Sequence, residues 1–167
     1  MEKNIPVVGQ NELVSFGRRA IDVPAKIDTG ADGSAIWASK IRVDKNGILK
    51  FALFGEGSPY YNGKVFKRKD YEVASVKNSS GVSEVRYRTY FNISVGGRKI
   101  KVKFSLADRS KNGFPVLIGR RTINGKFLVD VSKKAAGFKK PKKTIDLNKE
   151  LQKNPYQFHK KYVRKGV

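Results

Sequence analysis

The sequence contains no cysteine and a single histidine, His159. The absence of thiols excludes disulfides, thiolate catalysis and every zinc site that depends on sulfur. His159 lies near the carboxyl end, so a Ser/His/Asp triad or a two-histidine metal site would need this segment to fold back, or a second chain to contribute. We therefore expect neither a metal nor a cofactor, and the catalytic choices narrow towards carboxylates.

Long apolar runs are also missing. No window reaches the run of about 18 apolar residues that a membrane span needs. The first residues, Met-Glu-Lys-Asn-Ile, do not form a basic start followed by an apolar signal segment. From these two absences we expect a cytoplasmic protein with no membrane partner.

Acidic residues are scarce relative to basic ones. The chain has 36 Lys and Arg against 14 Asp and Glu, which gives a formal net charge of +22. Ordinary domains need a net charge of only about 2 to 8 for solubility, so a solubility surface is a weak explanation. A charge of this size indicates a polyanionic partner, either RNA and the ribosome or an acidic peptide or protein.

Strand-like segments dominate residues 5–131, where branched and aromatic residues form short runs broken by glycine and asparagine. Residues 34–41 fit either a strand or a short helix, since periodicity cannot decide over such a length. Residues 64–77 and 84–95 resemble the two arms of one long hairpin. The other predicted strands are residues 20–28, 48–54, 98–107, 114–119 and 126–131. We therefore predict an all-β domain over residues 1–131.

The composition changes after residue 131. Residues 132–167 are predicted to form a basic C-terminal extension, because their first part is rich in lysine and poor in apolar side chains. Thr144 or Asp146 can cap a short helix over residues 146–153, which the following Asn-Pro pair would end. The last residues interleave aromatic and basic side chains, which fits either stacking on RNA or packing on the domain. We assign no site residues to this extension.

The stretch AKIDTGADGSAIW, residues 25–37, places Asp28 at the end of a predicted strand. An ordinary strand-end turn is one explanation, since Asp-Thr-Gly is a short motif. The other is catalytic: an aspartate that activates water to cut an amide bond needs a second carboxylate at contact distance, and the two share one proton. A homodimer with a two-fold axis would supply that pair, one Asp28 from each chain.

The neighbours of Asp28 fit the catalytic explanation. Gly30 lets the backbone turn tightly beside a partner chain, and Thr29 can form a hydrogen bond across the axis. Ala31 leaves room for substrate. We therefore assign Asp28, Thr29 and Gly30 to catalysis and Ala31 to substrate binding.

Two motifs together carry a family resemblance. The sequence resembles the retropepsin-like aspartic proteases in AKIDTGA and, late in the chain, in PVLIGRRTI. In that family an apolar-apolar-Asp-Thr-Gly-Ala turn is paired with an apolar-apolar-Gly motif and a short helix. The closer similarity is to the bacterial and archaeal family named ATP-dependent zinc proteases, over residues 7–131. It is carried by AKIDTGADGSA, NSSGVSEVRYRTY and LADRSKNGFPVLIGRRTINGKFLVDV. The sequence departs from this family at Trp37, where histidine is more frequent, and at Asp32-Gly33.

The resemblance implies a fold and further site residues. The fold would be a closed retropepsin-like β-barrel with a short helix after Leu-Ile-Gly-Arg, acting as a homodimer with the active site on the two-fold axis. Residues 78–86 would form a flap, in which Ser80 and Gly81 offer donors to the substrate and Arg86 grips a carboxylate. A plain hairpin turn with a surface arginine explains the same residues equally well.

Two other arginines in the family pattern are interpreted as structural. Arg109 and Arg120 are expected to pair with Asp108 or Asp130 rather than to bind substrate, because arginines that are not exposed are usually paired.

The resemblance also implies a function. The family is associated with ATP-grasp ligases that append glutamates to proteins, which implies a peptidase that processes such tails. The sequence supports neither the zinc nor the ATP in the family name. The cysteines for a zinc site and a Gly-x-x-x-x-Gly-Lys loop for ATP are both absent. We predict an aspartic peptidase acting on glutamate-rich or glutamylated protein tails. The alternative is a non-catalytic basic module that binds RNA, the ribosome or acidic protein on a protease-like fold.

Overall fold

The computed structural model describes residues 4–77, 80–135 and 146–163, and this part of the chain is mostly β. The strands are β1 (Val7–Val8), β2 (Asn11–Val14), β3 (Val23–Asp28), β4 (Ser34–Val43), β5 (Leu49–Leu53), β6 (Val65–Arg68), β7 (Glu72–Lys77), β8 (Ser83–Val95), β9 (Arg98–Ala107), β10 (Val116–Gly119) and β11 (Leu128–Val129). The helices are α1 (Arg120–Ile123), α2 (Leu147–Lys153) and α3 (Pro155–Tyr162). No helix in the described ranges is long and apolar enough to cross a membrane.

Nine strands form one large sheet. Its neighbours run in the order β2, β3, β10, β4, β9, β8 and β7, while β5 pairs with both β4 and β6. The other two strands, β1 and β11, form a small parallel pair. An isolated antiparallel bridge between Ser15 and Ser94 also links the end of β2 to β8. The closed barrel remains a prediction, because among the described residues a single bridge, rather than a strand ladder, joins β2 to β8.

The core is rich in phenylalanine. Phe16, Phe51, Phe66, Phe91 and Phe104 pack with ring centroids 5.4 to 6.0 Å apart. In β9, Val102 and Phe104 are buried whereas Lys101 is exposed and Lys103 half-buried. This alternation confirms the prediction of a strand with one buried and one solvated face.

The predicted hairpin is correct in its second arm and wrong in its first. β8 is one long strand, but residues 64–77 divide into β6, which pairs with β5, and β7, which pairs with β8. The break lies at residues 69–71, where the carbonyl of Asp70 accepts a hydrogen bond from the Thr89 hydroxyl at 3.1 Å. Residues 34–41, which fitted either a strand or a helix, belong to β4.

The described part of the predicted C-terminal extension, residues 132–135 and 146–163, contains two helices where the sequence predicted one. Asp146 caps α2 as predicted, because its side chain accepts a hydrogen bond from the Lys149 backbone N–H. Asn154 ends α2 but also caps α3 by accepting from the Gln157 N–H, and Pro155 occupies the first helical position, where its missing N–H costs nothing. The predicted lysine-rich start of the extension falls partly on residues 136–145, outside the described ranges.

A charge cluster joins the two helices of the extension. The Glu150 carboxylate accepts hydrogen bonds from Lys161 Nζ at 2.6 Å and the Tyr162 hydroxyl at 2.7 Å. Lys161 first, and then Tyr162, lowers the pKa of Glu150 from its ordinary value of 4.5. A carboxylate whose pKa is lowered on folding stabilises the fold above its ordinary pKa, and this stabilisation disappears as the pH falls through the lowered value.

We therefore predict that Glu150→Gln reduces the helix content of the extension at neutral pH by a modest amount, as expected for an exposed ion pair. The difference from wild type should vanish in acid, below the lowered pKa. Amide hydrogen exchange of residues 147–162 at several pH values measures both effects. Equal protection of the two proteins at neutral pH would show that the cluster does not hold the helices together.

Candidate active site

The two sequence motifs meet in the middle of the large sheet. β10 lies between β3 and β4 and runs parallel to β3, so that Gly119 is opposite Asp28. Alternation along β3 buries Ala25 and Ile27 and leaves Lys26 and Asp28 on the other face. The pairing of these two motifs, which the family resemblance implies, is confirmed.

The Asp28 carboxylate has a defined orientation. Its Oδ1 accepts hydrogen bonds from the backbone N–H groups of Gly30 at 3.1 Å and Ala31 at 3.2 Å. Its Oδ2 lies 3.3 Å from Lys26 Nζ, and the Asp28 side chain is 24% exposed. One oxygen is therefore held by the turn, while the other lies beside a cation at the protein surface.

The turn after Asp28 is anchored to α1. The backbone N–H groups of Arg120 and Arg121 donate to the carbonyls of Ala31 at 2.7 Å and Asp32 at 3.1 Å. Behind the turn, the buried Ser34 hydroxyl accepts from the Gly119 N–H at 3.0 Å and is 2.8 Å from Thr122 Oγ1. These contacts fix the turn to elements that are packed on the core.

A cleft of about 560 Å³ opens beside this turn. Its walls are the turn itself, residues 74–77 of β7, and polar side chains of β8 and β9. Among the described residues that line it, five are cations and one is an acid: Lys77, Arg86, Arg88, Arg109, Arg121 and Asp32. A concave site with this excess of positive charge attracts carboxylates and other anions.

The cations of the cleft differ in how they are held. Arg86 pairs with Glu84, and Arg88 lies 3.4 Å from Glu72. Arg109 Nε donates to the Phe114 carbonyl at 3.1 Å.

The surroundings of Arg109 also change the pKa of its guanidinium. Burial, followed by the like charge of Arg86, lowers the pKa of Arg109, and the Asp28 carboxylate acts in the opposite direction.

The expected pairs of Arg109 and Arg120 are wrong. Arg120 forms its ion pair with Asp32, in the turn itself. The backbone carbonyl of Phe114 holds the Arg109 guanidinium, and within the described ranges neither arginine pairs with Asp108 or Asp130. Those two aspartates accept hydrogen bonds from nearby serines, which lower their pKa values.

The predicted site residues are distributed over three places. Gly30, Ala31 and Arg86 line the cleft next to Asp28. Thr29 faces a separate depression beside Arg120 and Asn124. Ser80 and Gly81 belong to the turn between β7 and β8, whose residues 78 and 79 lie outside the described ranges, and they are not among the described residues that line the cleft. The roles given to all seven residues remain predictions.

Sequence reasoning missed Arg88 and Arg121 as cleft residues. Arg88 follows Arg86 by two positions in a strand, so alternation alone places both on one face. Arg121 has no such signal, because it reaches the cleft only through the position of α1 beside the turn.

The side chains of the site do not fit a zinc ion. Among the residues that the structure describes, no three His, Asp or Glu side chains lie close enough together to hold a metal. His159 belongs to α3 in the C-terminal extension. The described part of the chain therefore offers no set of zinc ligands.

Several relatives share the sequence pattern of this chain. Proteins named probable alpha-L-glutamate ligase are 34% identical over 139 residues in Shewanella pealeana, 33% over 139 residues in Shewanella halifaxensis and 29% over 129 residues in Parasynechococcus marenigrum. The matches cover 74 to 79% of this chain but span only 28 to 30% of the relatives.

A solved structure and a family model also match this chain. The crystal structure of a Legionella pneumophila protein of unknown function superposes with a TM-score of 0.62 at 24% identity, covering 80% of this chain and 98% of the other. Residues 7–140 match the model of the RimB-like family, described as retropepsin-like aspartic endopeptidase RimB. The Asp-Thr-Gly turn is paired to β10, and the family model matches most of the length of the chain. The chain therefore belongs to the RimB-like family of retropepsin-like aspartic endopeptidases.

Proposed function

We propose that this protein is an aspartic peptidase that works as a homodimer. One Asp28 from each chain forms the catalytic pair on the two-fold axis, and each chain folds as a closed retropepsin-like barrel. The observation that carries the proposal is the Asp28 carboxylate, which two backbone N–H groups hold in a turn whose next residues, 30–35, line a cationic cleft. Membership of an endopeptidase family supports the same reaction.

The reaction follows from the chemistry of a shared proton. One Asp28 takes a proton from a water molecule as the oxygen attacks the amide carbonyl, and the protonated Asp28 of the second copy donates to the developing oxyanion. The tetrahedral intermediate then collapses as a proton passes to the leaving nitrogen and the C–N bond breaks. Thr29 is proposed to hydrogen-bond across the axis, while Gly30 and Ala31 leave space for the peptide.

The proposed substrate is a glutamate-rich or glutamylated protein tail. Five cations line the cleft, and guanidinium groups bind carboxylates in a bidentate geometry. The relatives named probable alpha-L-glutamate ligase contain a region similar to this chain within a longer protein. A peptidase that acts on glutamate tails is a natural companion of a ligase that makes them, and Ser80, Gly81 and Arg86 are proposed to contact the bound tail.

The alternative function, a non-catalytic basic binding module, is not favoured. It would explain the net charge of +22 through RNA or ribosome binding, but it gives no reason for the Asp28 turn or for the match to an endopeptidase family.

A subunit-mixing experiment tests the dimeric mechanism. Wild type is incubated with a threefold excess of Asp28→Asn protein until the chains exchange, and cleavage of a glutamate-tailed peptide is followed by mass spectrometry. If each site needs two Asp28 residues, activity should fall to about one quarter of that of wild type alone, because mixed dimers are inactive. Wild type alone, assayed with a metal chelator, should keep its full activity.

Activity that is unchanged by the excess of mutant chains would contradict a shared site. The control is the same excess of Asp22→Asn protein, which changes an exposed aspartate away from the cleft and should not inhibit.

A further inference from the structure

A second depression of about 230 Å³ adjoins the cleft. The two share Gly33, Ser34, Arg88 and Arg121, so a chain lying in one can continue into the other. In the part of the chain that the structure describes, five cations line the second depression: Arg88, Lys101, Lys103, Arg121 and Lys126. We call these five residues the cationic shelf.

The positive charge of the shelf is only partly compensated. Glu72 lies 3.0 Å from Lys103 Nζ and 3.4 Å from Arg88, and the hydrogen bond from Lys103 is the main cause of its lowered pKa. The other three shelf cations, Lys101, Arg121 and Lys126, have no acidic partner among the described residues. The shelf therefore keeps a local excess of positive charge next to the proposed catalytic turn.

The shelf has the spacing of an extended peptide. Lys101 and Lys103 are alternate residues of β9 and point to the same face, about 6.6 to 6.8 Å apart along the strand. Alternate side chains of an extended substrate have the same spacing.

The Tyr90 ring holds the two lysines. In the paired strands Tyr90 is opposite Lys103, and its ring centroid lies 4.8 Å from Lys101 Nζ and 4.9 Å from Lys103 Nζ. Both ammonium groups are thus kept on one face. Lys103 already donates to Glu72, whereas Lys101 has no acidic partner among the described residues.

We propose that the cationic shelf binds carboxylate side chains of the substrate that lie beyond the cleft, so that it selects polypeptides with an extended acidic run. This inference rests on the proposed function and adds to it a specificity-determining surface. Continuity with the cleft and the spacing of the lysines favour a peptide as the ligand. RNA is less suited, because the shelf offers one aromatic ring rather than a series for base stacking.

Binding tests the inference independently of catalysis. The full chain carrying Asp28→Asn is titrated with a fluorescent peptide that ends in a run of glutamates, and with the same peptide carrying glutamines instead. Adding Lys101→Gln and Lys126→Gln should weaken binding of the glutamate peptide by about fourfold, since each lost exposed contact accounts for roughly a twofold change. Binding of the glutamine peptide should not change, and the effect should shrink at high salt.

The matched control removes two lysines elsewhere. Lys45→Gln with Lys64→Gln deletes the same charge from exposed positions that line neither depression, and it should leave the affinity for the glutamate peptide unchanged. An equal loss of affinity in both double variants would overturn the inference, since net charge alone would then explain binding. The inference would also be overturned if the shelf variant lost affinity for a single-stranded RNA but still preferred the glutamate peptide to the glutamine peptide.

The two proposals can fail separately. In the catalytically intact chain, the shelf substitutions should raise the KM for the glutamate peptide and leave kcat unchanged, because they remove binding that is the same in the ground and transition states. Cleavage that depends on Asp28 but not on the shelf rejects the shelf alone. Shelf-dependent binding without any cleavage rejects the peptidase and leaves an acidic-peptide binding surface.

Discussion

Asp28→Asn is expected to reduce cleavage of a glutamate-tailed peptide by about 10²- to 10⁴-fold or more, because removing both carboxylates of the proposed pair removes the general base and the general acid together. An asparagine can still accept the N–H groups of Gly30 and Ala31 through its carbonyl oxygen. The turn should therefore keep its shape, and circular dichroism should show an unchanged fold. Initial rates by mass spectrometry measure the loss.

The matched control is Asp22→Asn, which makes the same chemical change shortly before the same strand. Asp22 has a φ of 53°, a conformation that asparagine also tolerates, and it is exposed. This variant should cleave at the wild-type rate. Full activity of Asp28→Asn would reject the aspartic mechanism.

Gly119→Ala is expected to destabilise the protein by about 3 kcal/mol and to disrupt the catalytic turn, because there is no space for the added methyl group. A Cβ at this position would lie 2.2 Å from the Gly33 carbonyl oxygen and 2.9 Å from that of Ala31. Both are backbone atoms, so no side-chain rotation can relieve the overlap. β10 and the turn would have to separate.

Urea denaturation followed by fluorescence of Trp37 measures this change in the free energy of unfolding. Gly113→Ala is the control, since nothing lies within 4 Å of a Cβ at that position and its φ is not positive. It should change stability by less than about 1 kcal/mol. Equal stability of Gly119→Ala and wild type would mean that the turn yields easily.

Local patterns in the sequence predict much of this fold. The alternation of Lys101, Val102, Lys103 and Phe104 identifies β9, because one face of that strand packs on the core and the other meets solvent. The break at residues 69–71 was not predictable in this way. Both sides of it have strand-like composition, and only tertiary pairing assigns β6 to β5 and β7 to β8.

Stop and start signals for helices can coincide, which explains the missed helix α3. Asn154 followed by Pro155 ends one helix, as predicted, and the same two residues are a good beginning for another.

The candidate site was predictable where it depends on contiguous motifs. Asp28 and Gly119 were paired from the family pattern, and the sheet places them side by side. The cationic lining of the cleft was not predictable, because Arg88, Arg109 and Arg121 come from separate elements. Whether such residues meet depends on strand register and on the position of α1, which a single sequence does not reveal.

The position of β10 between β3 and β4 has a consequence for synthesis. Asp28 and Gly119 are neighbours in the sheet, yet more than half of the chain length separates them. Contacts of such high contact order form slowly and only after the intervening chain is available. A nascent chain that has not yet extended beyond Gly119 cannot assemble the Asp28 turn, so the proposed catalytic site forms only after β10 has been synthesised.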